Sequence, residues 1–438
     1  MSEGLKPLLR RGLRSSVGKN ALSLYSIQFA NYFLPLITVP YLVRVLGAES
    51  FGTLSFGQGL IAYFSAIVSY GFDWSATRKI SVERNNVDVV SRLAANIWGA
   101  KLLICISSLA SLLLLIQLVP RVRAVSALMI VLFGGVLGSV LFPTWLFQGL
   151  EKMGPISFIN LSVRTAVLIG MFILVHSPQD FLVYAALSSG GAIIAGIAGI
   201  TVAFHSMQLR LIWPTWGGIW ESLREGWILF LSNSAIVLYT SGNAFILGLM
   251  ANYTVVGYYT AGEKIVRAIV NLLGPLSQSL FPRFSRLAEE SKSQALRWGR
   301  KLLFAMGGIG LLLSVITFVG ANPIVRVVLG ANYKLSISVV RILSPLPFLL
   351  AVSIVLGLQL MIPFGRERAI LIVVLGAGCL NVALATALAP IWKADGMAVS
   401  VLLAELFIAM SYFAYLWKAK LNPLRKTDIS AKSESCRA

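Results

Sequence analysis

The chain has 438 residues, of which 57% are hydrophobic and only 12% charged, with a formal net charge of +20. A water-soluble protein of this size needs far more polar surface, so lipid solvates most of this chain and soluble enzymes, disordered chains and disulfide scaffolds are excluded. The excess of Lys and Arg belongs to loops flanking a membrane rather than to a nucleic-acid surface.

A spanning helix needs about 20 mostly apolar residues. Twelve such stretches follow in chain order: 21–43, 51–73, 93–118, 125–147, 157–176, 182–204, 228–250, 256–281, 302–320, 337–362, 370–390 and 397–417. The first follows a basic stretch (Arg10, Arg11, Arg14, Lys19) and mimics a signal peptide. Its apolar run is too long, and no small-x-small cleavage site follows, so it reads as a retained helix. The domains expected are a basic N-terminus (1–20), a six-helix lobe (21–204), a linker (205–227), a second six-helix lobe (228–417) and a basic tail (418–438). The fold class is all-α and polytopic, with two six-helix lobes around a central cavity.

An even number of spans puts both termini on one side. Of the 37 Lys and Arg, 26 fall at the termini and the even-numbered connections, and six on the opposite side. That bias places both termini in the cytoplasm. Five cations remain at membrane depth: Lys101, Arg164, Lys264, Arg267 and Arg341.

Three landmarks recur in order along the two halves. Gly52-Thr-Leu-Ser-Phe-Gly57 resembles Gly257-Tyr-Tyr-Thr-Ala-Gly262, offset by 205. Trp98-Gly-Ala-Lys101 resembles Trp298-Gly-Arg-Lys301, and Gly149-Leu-Glu151-Lys152 resembles Gly365-Arg-Glu367-Arg368. Shared order and matching positions favour duplication. Two six-helix halves in parallel are typical of alternating-access transporters, with substrate between them.

Charge at mid-bilayer costs about 2.5–3.5 kcal/mol on insertion scales, so it marks pairing or a cavity wall. The eighth span carries Thr260, Glu263, Arg267, Asn271 and Gln278 within roughly 80° of arc, one polar stripe on an otherwise apolar helix. Glu263 and Arg267 are four apart and can pair, while Lys264 adds an unmatched cation. The stripe reads as cavity lining or as an interior salt bridge. The first span carries Gln28, Asn31, Pro35 and Thr38 on one face; a bend toward a wet surface and polar glue between helices explain them equally. Arg341 opens the tenth span as a site cation or a snorkelling anchor. Lys101 and Arg164 are isolated on the third and fifth spans. Glu405, in the middle of the twelfth, has no cation nearby in sequence; it is a proton or cation site, or a helix-packing hydrogen bonder. Asp73 pairs locally with Arg78 or Lys79. Five cations against two carboxyls make an anion-attracting cavity, and phosphate is the expected partner of Arg and Lys. No HExxH, CxxC, GxxxxGK[ST] or GxSxG motif occurs, which leaves no metal, nucleotide or nucleophile signature.

The stretch Gln28-Phe-Ala-Asn31-Tyr-Phe-Leu-Pro35, running on through Pro40, Arg44 and Gly47 to Gly52, resembles the opening of the Wzx-type polysaccharide flippases. Tyr70-Gly71-Phe72-Asp73 through Arg78, and Tyr258 through Gly262-Glu263-Lys264 to Arg267, resemble two further stretches of that family. The family belongs to the multidrug/oligosaccharidyl-lipid/polysaccharide exporter superfamily. The resemblance implies two six-helix lobes around a V-shaped cavity. It also implies movement of undecaprenyl-diphosphate-linked oligosaccharide from the cytoplasmic to the periplasmic leaflet, for O-antigen or exopolysaccharide assembly. On this reading Arg267, Lys264, Arg341, Lys101, Arg164, Asn31, Gln28 and Asn271 bind the pyrophosphate and sugars, and Glu263 and Glu405 couple an ion. No cofactor is expected; a proton or sodium gradient, or downstream use of the glycan, drives transport. The partners expected are the lipid-linked glycan, membrane lipid, a polysaccharide polymerase and a chain-length regulator, with no nucleic acid. Two alternatives stand beside it. A multidrug exporter of the same fold would carry unpaired cavity carboxylates. A glycan polymerase or ligase would carry a large outer loop, and the longest here is about 321–336.

Overall fold

Inside a bilayer no water satisfies the backbone, so each crossing segment must bond its own N–H and C=O groups. The computed structural model describes residues 16–422 and 424, except the side chains of 16–33 and of 228, 232, 233, 235, 238, 239, 279, 282 and 283. Among the described residues all regular structure is helical. The helices are α1 (Ser16–Ser69), α2 (Phe72–Glu83), α3 (Val87–Leu118), α4 (Ser126–Leu141), α5 (Met153–Leu174), α6 (Phe181–Met207), α7 (Trp216–Thr240), α8 (Asn243–Met250) and α9 (Tyr253–Val270). They continue as α10 (Leu273–Glu290), α11 (Lys292–Val328), α12 (Ser336–Leu343), α13 (Leu346–Ser353), a π-helical segment (Ile354–Met361) and α14 (Glu367–Lys418). Eight described stretches are long and apolar enough to cross a membrane, from Leu34–Glu83 to Glu367–Lys418.

Breaks in the long helices have local causes. α1 stays helical through Pro35 and Pro40 and leaves helical geometry at Gly47 (φ 69°, ψ 175°), a conformation glycine adopts without a Cβ penalty. α14 breaks at Lys393 (φ 52°), shortly after Pro390. The eighth predicted span, 256–281, is not one helix. It stops at Val270 and restarts at Leu273. Pro275 has no N–H for the Asn271 carbonyl, and its ring crowds that carbonyl. The stripe drawn through Gln278 therefore does not continue past Asn271. The tenth span, 337–362, is likewise divided into α12, α13 and the π segment around Pro345 and Pro347. The Phe348 N–H, an orphan donor at the start of α13, bonds Ser314 Oγ of α11 at 3.1 Å.

The chain divides into two units, Met1–Thr260 and Ala261–Ala438. In the first, α4 and α6 cross through small residues. A Cβ added at Gly138 would lie 2.5 Å from the Ala192 carbonyl carbon, and one at Gly196 would lie 2.8 Å from the Gly138 oxygen. With no hydrophobic drive between helices in lipid, such close packing holds them together. A second core gathers Phe72, Ile80, Ile97, Trp145 and Phe147, with Trp98 edge-on to Trp145 at 5.6 Å. α2 is tied to α7 by Lys79, whose Nζ lies 3.0 Å from Glu221 and 2.8 Å from Glu225. In the second unit Gly310 of α11 meets Ala351 and the Pro347 carbonyl, and Gly357 of the π segment meets the Tyr412 ring.

The repeated landmark reappears as repeated packing. Gly57 sits against Leu128 and Leu132 at the start of α4, and Gly262 against Ser336 and Val339 at the start of α12. Each glycine rests on the first turns of the helix two predicted spans ahead, within its own unit.

The α4–α6 crossing gives a paired test. Gly138→Ala should cost about 1–3 kcal/mol by overpacking. Gly190→Ala, where nothing lies within 4 Å, should be neutral or stabilising by a few tenths to about 1 kcal/mol. Thermal unfolding in detergent should lower the midpoint only for the first.

Candidate functional site

The charged residues predicted at membrane depth separate into distinct environments. α9 carries Glu263, Lys264 and Arg267. Arg267 Nε donates to Glu263 Oε1 at 3.0 Å, the i,i+4 pair expected from the spacing. The Glu263 side chain is 9% exposed and that of Arg267 29%, with the guanidinium Nη2 itself buried. Glu405 of α14 is buried, and Arg267 is within electrostatic reach of it. The carboxyl that looks isolated in sequence therefore has a cation within electrostatic reach. Only the tertiary packing of α14 makes that link, since no residue near Glu405 in sequence carries charge. Lys264 is half-buried and feels the Glu263 carboxylate. The close approach of Gly262 to Val339 seats this part of α9 against α12.

Each of the remaining described residues has surroundings of its own. Lys101 of α3 is buried, and its Nζ donates to the Ser139 carbonyl at 3.0 Å. The reason is legible in α4: Pro143, four residues on, has no N–H for that carbonyl. The lysine supplies the missing donor, and its charge complements the C-terminal end of the helix dipole. Lys101 thus acts here as a cap between helices. Arg164 of α5 and Arg341 of α12 are exposed. Asn271 is exposed just past the end of α9, its N–H bonded to the Arg267 carbonyl. Gln28 and Asn31 lie on the α1 backbone, and their side chains are outside the described residues. Thr38 bonds its own helix, to the Leu34 carbonyl at 2.9 Å.

One polar contact was not anticipated from sequence. Gln359, buried in the π segment, donates through Nε2 to Ser277 O at 2.7 Å and to Ser277 Oγ at 3.2 Å. A glutamine in an apolar run could have signalled it, because a buried amide needs a partner. The chemistry that this second-unit cluster can perform is ionic. Arg267 pairs with Glu263 and lies within electrostatic reach of Glu405, and an incoming anion would compete for it. Among the described residues no group of three His, Cys, Asp or Glu is arranged to hold a metal.

Breaking such a pair strands a buried charge, which costs several kcal/mol, whereas removing both partners costs much less. Arg267→Met alone should therefore lower the thermal midpoint in detergent more than the Glu263→Gln/Arg267→Met double variant. Lys101→Met, which leaves the Ser139 carbonyl without its donor, should cost about 1.5–3 kcal/mol in the same measurement.

Comparison with known proteins adds family and fold. A family model described as "Polysaccharide biosynthesis protein" matches residues 17–288. A protein of Escherichia coli K12 named "Putative O-antigen transporter" is 30% identical over 406 residues, covering 93% of this chain and 98% of its own length. A Shigella dysenteriae protein of the same name is 30% identical over 392 residues, covering 90% and 98%. Among solved structures, an inward-facing multidrug resistance MATE family transporter of the MOP superfamily superposes with a TM-score of 0.72 at 14% identity, covering 90% of this chain and 96% of that one. The lipid II flippase MurJ in an inward closed conformation gives 0.68 at 13% identity, covering 91% and 87%. At these identities the structures establish a shared fold.

Proposed function

The chain belongs to the polysaccharide biosynthesis protein family, and from that premise we propose that it is a flippase for lipid-linked oligosaccharide. It would carry undecaprenyl-diphosphate-linked repeat units from the cytoplasmic to the periplasmic leaflet for O-antigen or exopolysaccharide assembly. The observation that carries this reading is similarity along almost the whole chain to proteins named as O-antigen transporters. The architecture proposed is twelve spans in two six-helix lobes, both termini cytoplasmic, supported by the charge bias and by the matching packing of Gly57 and Gly262.

The mechanism proposed is alternating access. The pyrophosphate would meet Arg267 and Lys264, with Arg341 and the polar residues Gln28, Asn31 and Asn271 serving the headgroup or sugars; the prenyl chain would stay in lipid. Arg267 suits this role because a planar guanidinium pairs with phosphate through two parallel hydrogen bonds. Glu263 and Glu405 would carry the coupled proton or sodium ion, because bound phosphate competes with both for Arg267. The structure gives Lys101 a local partner, so Lys101 is the weakest member of the predicted site. A polymerase and a chain-length regulator would act on the delivered units.

Deletion of the gene should leave complete repeat units on the cytoplasmic face, and reconstituted vesicles should translocate a fluorescent lipid-linked glycan. Single units gathered on the periplasmic face would instead identify a polymerase. Arg267→Ala should lose most export at normal membrane abundance, with Arg267→Lys retaining part of it. Under an imposed pH gradient, Glu263→Gln should lose gradient dependence and keep downhill movement. A Glu263→Gln protein that follows the gradient as wild type does would leave Glu263 a structural residue.

A further inference from the structure

The first repeated landmark does more than recur: within Met1–Thr260 its two copies close on each other. A Cβ added at Gly52 would fall on the carbonyl oxygen of Tyr253, and one added at Gly257 on the carbonyl oxygen of Ala48. Tyr253 lies four residues before Gly257, and Ala48 lies four before Gly52. The contact is therefore reciprocal, as at a local two-fold axis between duplicated helices. Both glycines are needed, since any side chain at either would force the two backbones apart.

The same end of these helices is clasped by hydrogen bonds. Tyr253 Oη donates to the Arg121 carbonyl at 3.0 Å, and Arg121 Nη1 donates to the Ala251 carbonyl at 3.4 Å. One turn along from the glycines stand Ser55 and Thr260, which are equivalent in the repeat. Both are buried, 2% and 5% exposed, and neither hydroxyl has a hydrogen-bond partner among the described residues. A buried unpaired hydroxyl is unfavourable, and two at equivalent positions point to a surface built to be wetted in another state.

We propose that the Gly52–Gly257 crossing is a gate whose opening exposes Ser55 and Thr260 to the translocated glycan, with Arg121 and Tyr253 as its latch. The proposal rests on the alternating-access reading. Closure depends on bare backbone meeting bare backbone, so the gate shuts tightly without any side chain having to withdraw. On opening, the two hydroxyls gain partners among sugar hydroxyls and water, which offsets the loss of the backbone contact. The charge bias puts Arg121 on the periplasmic side, so this is the exit.

The test uses the full chain with Cys105, Cys379 and Cys436 replaced by Ala, and Ser55→Cys as a near-isosteric reporter. Intact cells whose outer membrane has been permeabilised are treated with a membrane-impermeant maleimide. Ser55→Cys should label slowly. Adding Arg121→Ala with Tyr253→Phe removes the latch without adding bulk, and should speed labelling roughly three- to tenfold. Gly52→Leu, if it accumulates in the membrane, should label fastest and lose export. Unchanged labelling in the latch variant would overturn the gate, as would labelling only from inverted vesicles. So would a Gly52→Leu protein that exports normally with Ser55→Cys still protected. Labelling reads the gate without any glycan, so a protein that gates but fails to move the fluorescent glycan refutes the transport reading and spares this one.

Discussion

The constraint on which the structure depends is that hydrocarbon offers no hydrogen bonds. Every carbonyl freed within the membrane must be satisfied by the protein. The chain frees several, at Pro35, Pro40, Pro143, Pro275 and Pro390, and what answers each decides its local structure. At Pro143 the Ser139 carbonyl draws in Lys101. At Pro275 the helix stops and restarts. A lysine that looks like a substrate ligand by position is, by its contacts, part of the backbone's own accounting.

Close packing is the second determinant. In lipid, apolar side chains gain nothing by leaving their surroundings, so helices associate where backbones can approach. The glycines of α4 and α6, and the pair Gly52 and Gly257, provide that approach. Contacts made from backbone alone are also the ones a moving protein can part and remake, because no interlocked side chain must change rotamer. Rigidity within a helix bundle and separability at a crossing thus come from the same residue type placed differently.

Charge is confined. Arg267 is paired with and restrained by Glu263 and lies within electrostatic reach of Glu405. Under the proposed function, such a site would bind a phosphate by exchange rather than by filling an empty pocket. Exchange would link anion binding to release of a carboxylate and give one cluster both proposed roles, substrate and ion.

The sequence by itself determined the apolar environment and the helical class, because these follow from hydropathy and composition; the twelve spans and the duplication it suggests belong to the proposed architecture. It also placed Glu263 and Arg267 on one face, since four residues is a helical turn. Tertiary structure decided the rest. That Arg267 lies within electrostatic reach of Glu405 could not be read along either helix. Lys101 caps α4 because α3 lies beside it. Gly52 and Gly257 meet because their helices cross. Each is a contact between residues distant in the chain, and periodicity along one helix carries no information about which other helix will lie against it.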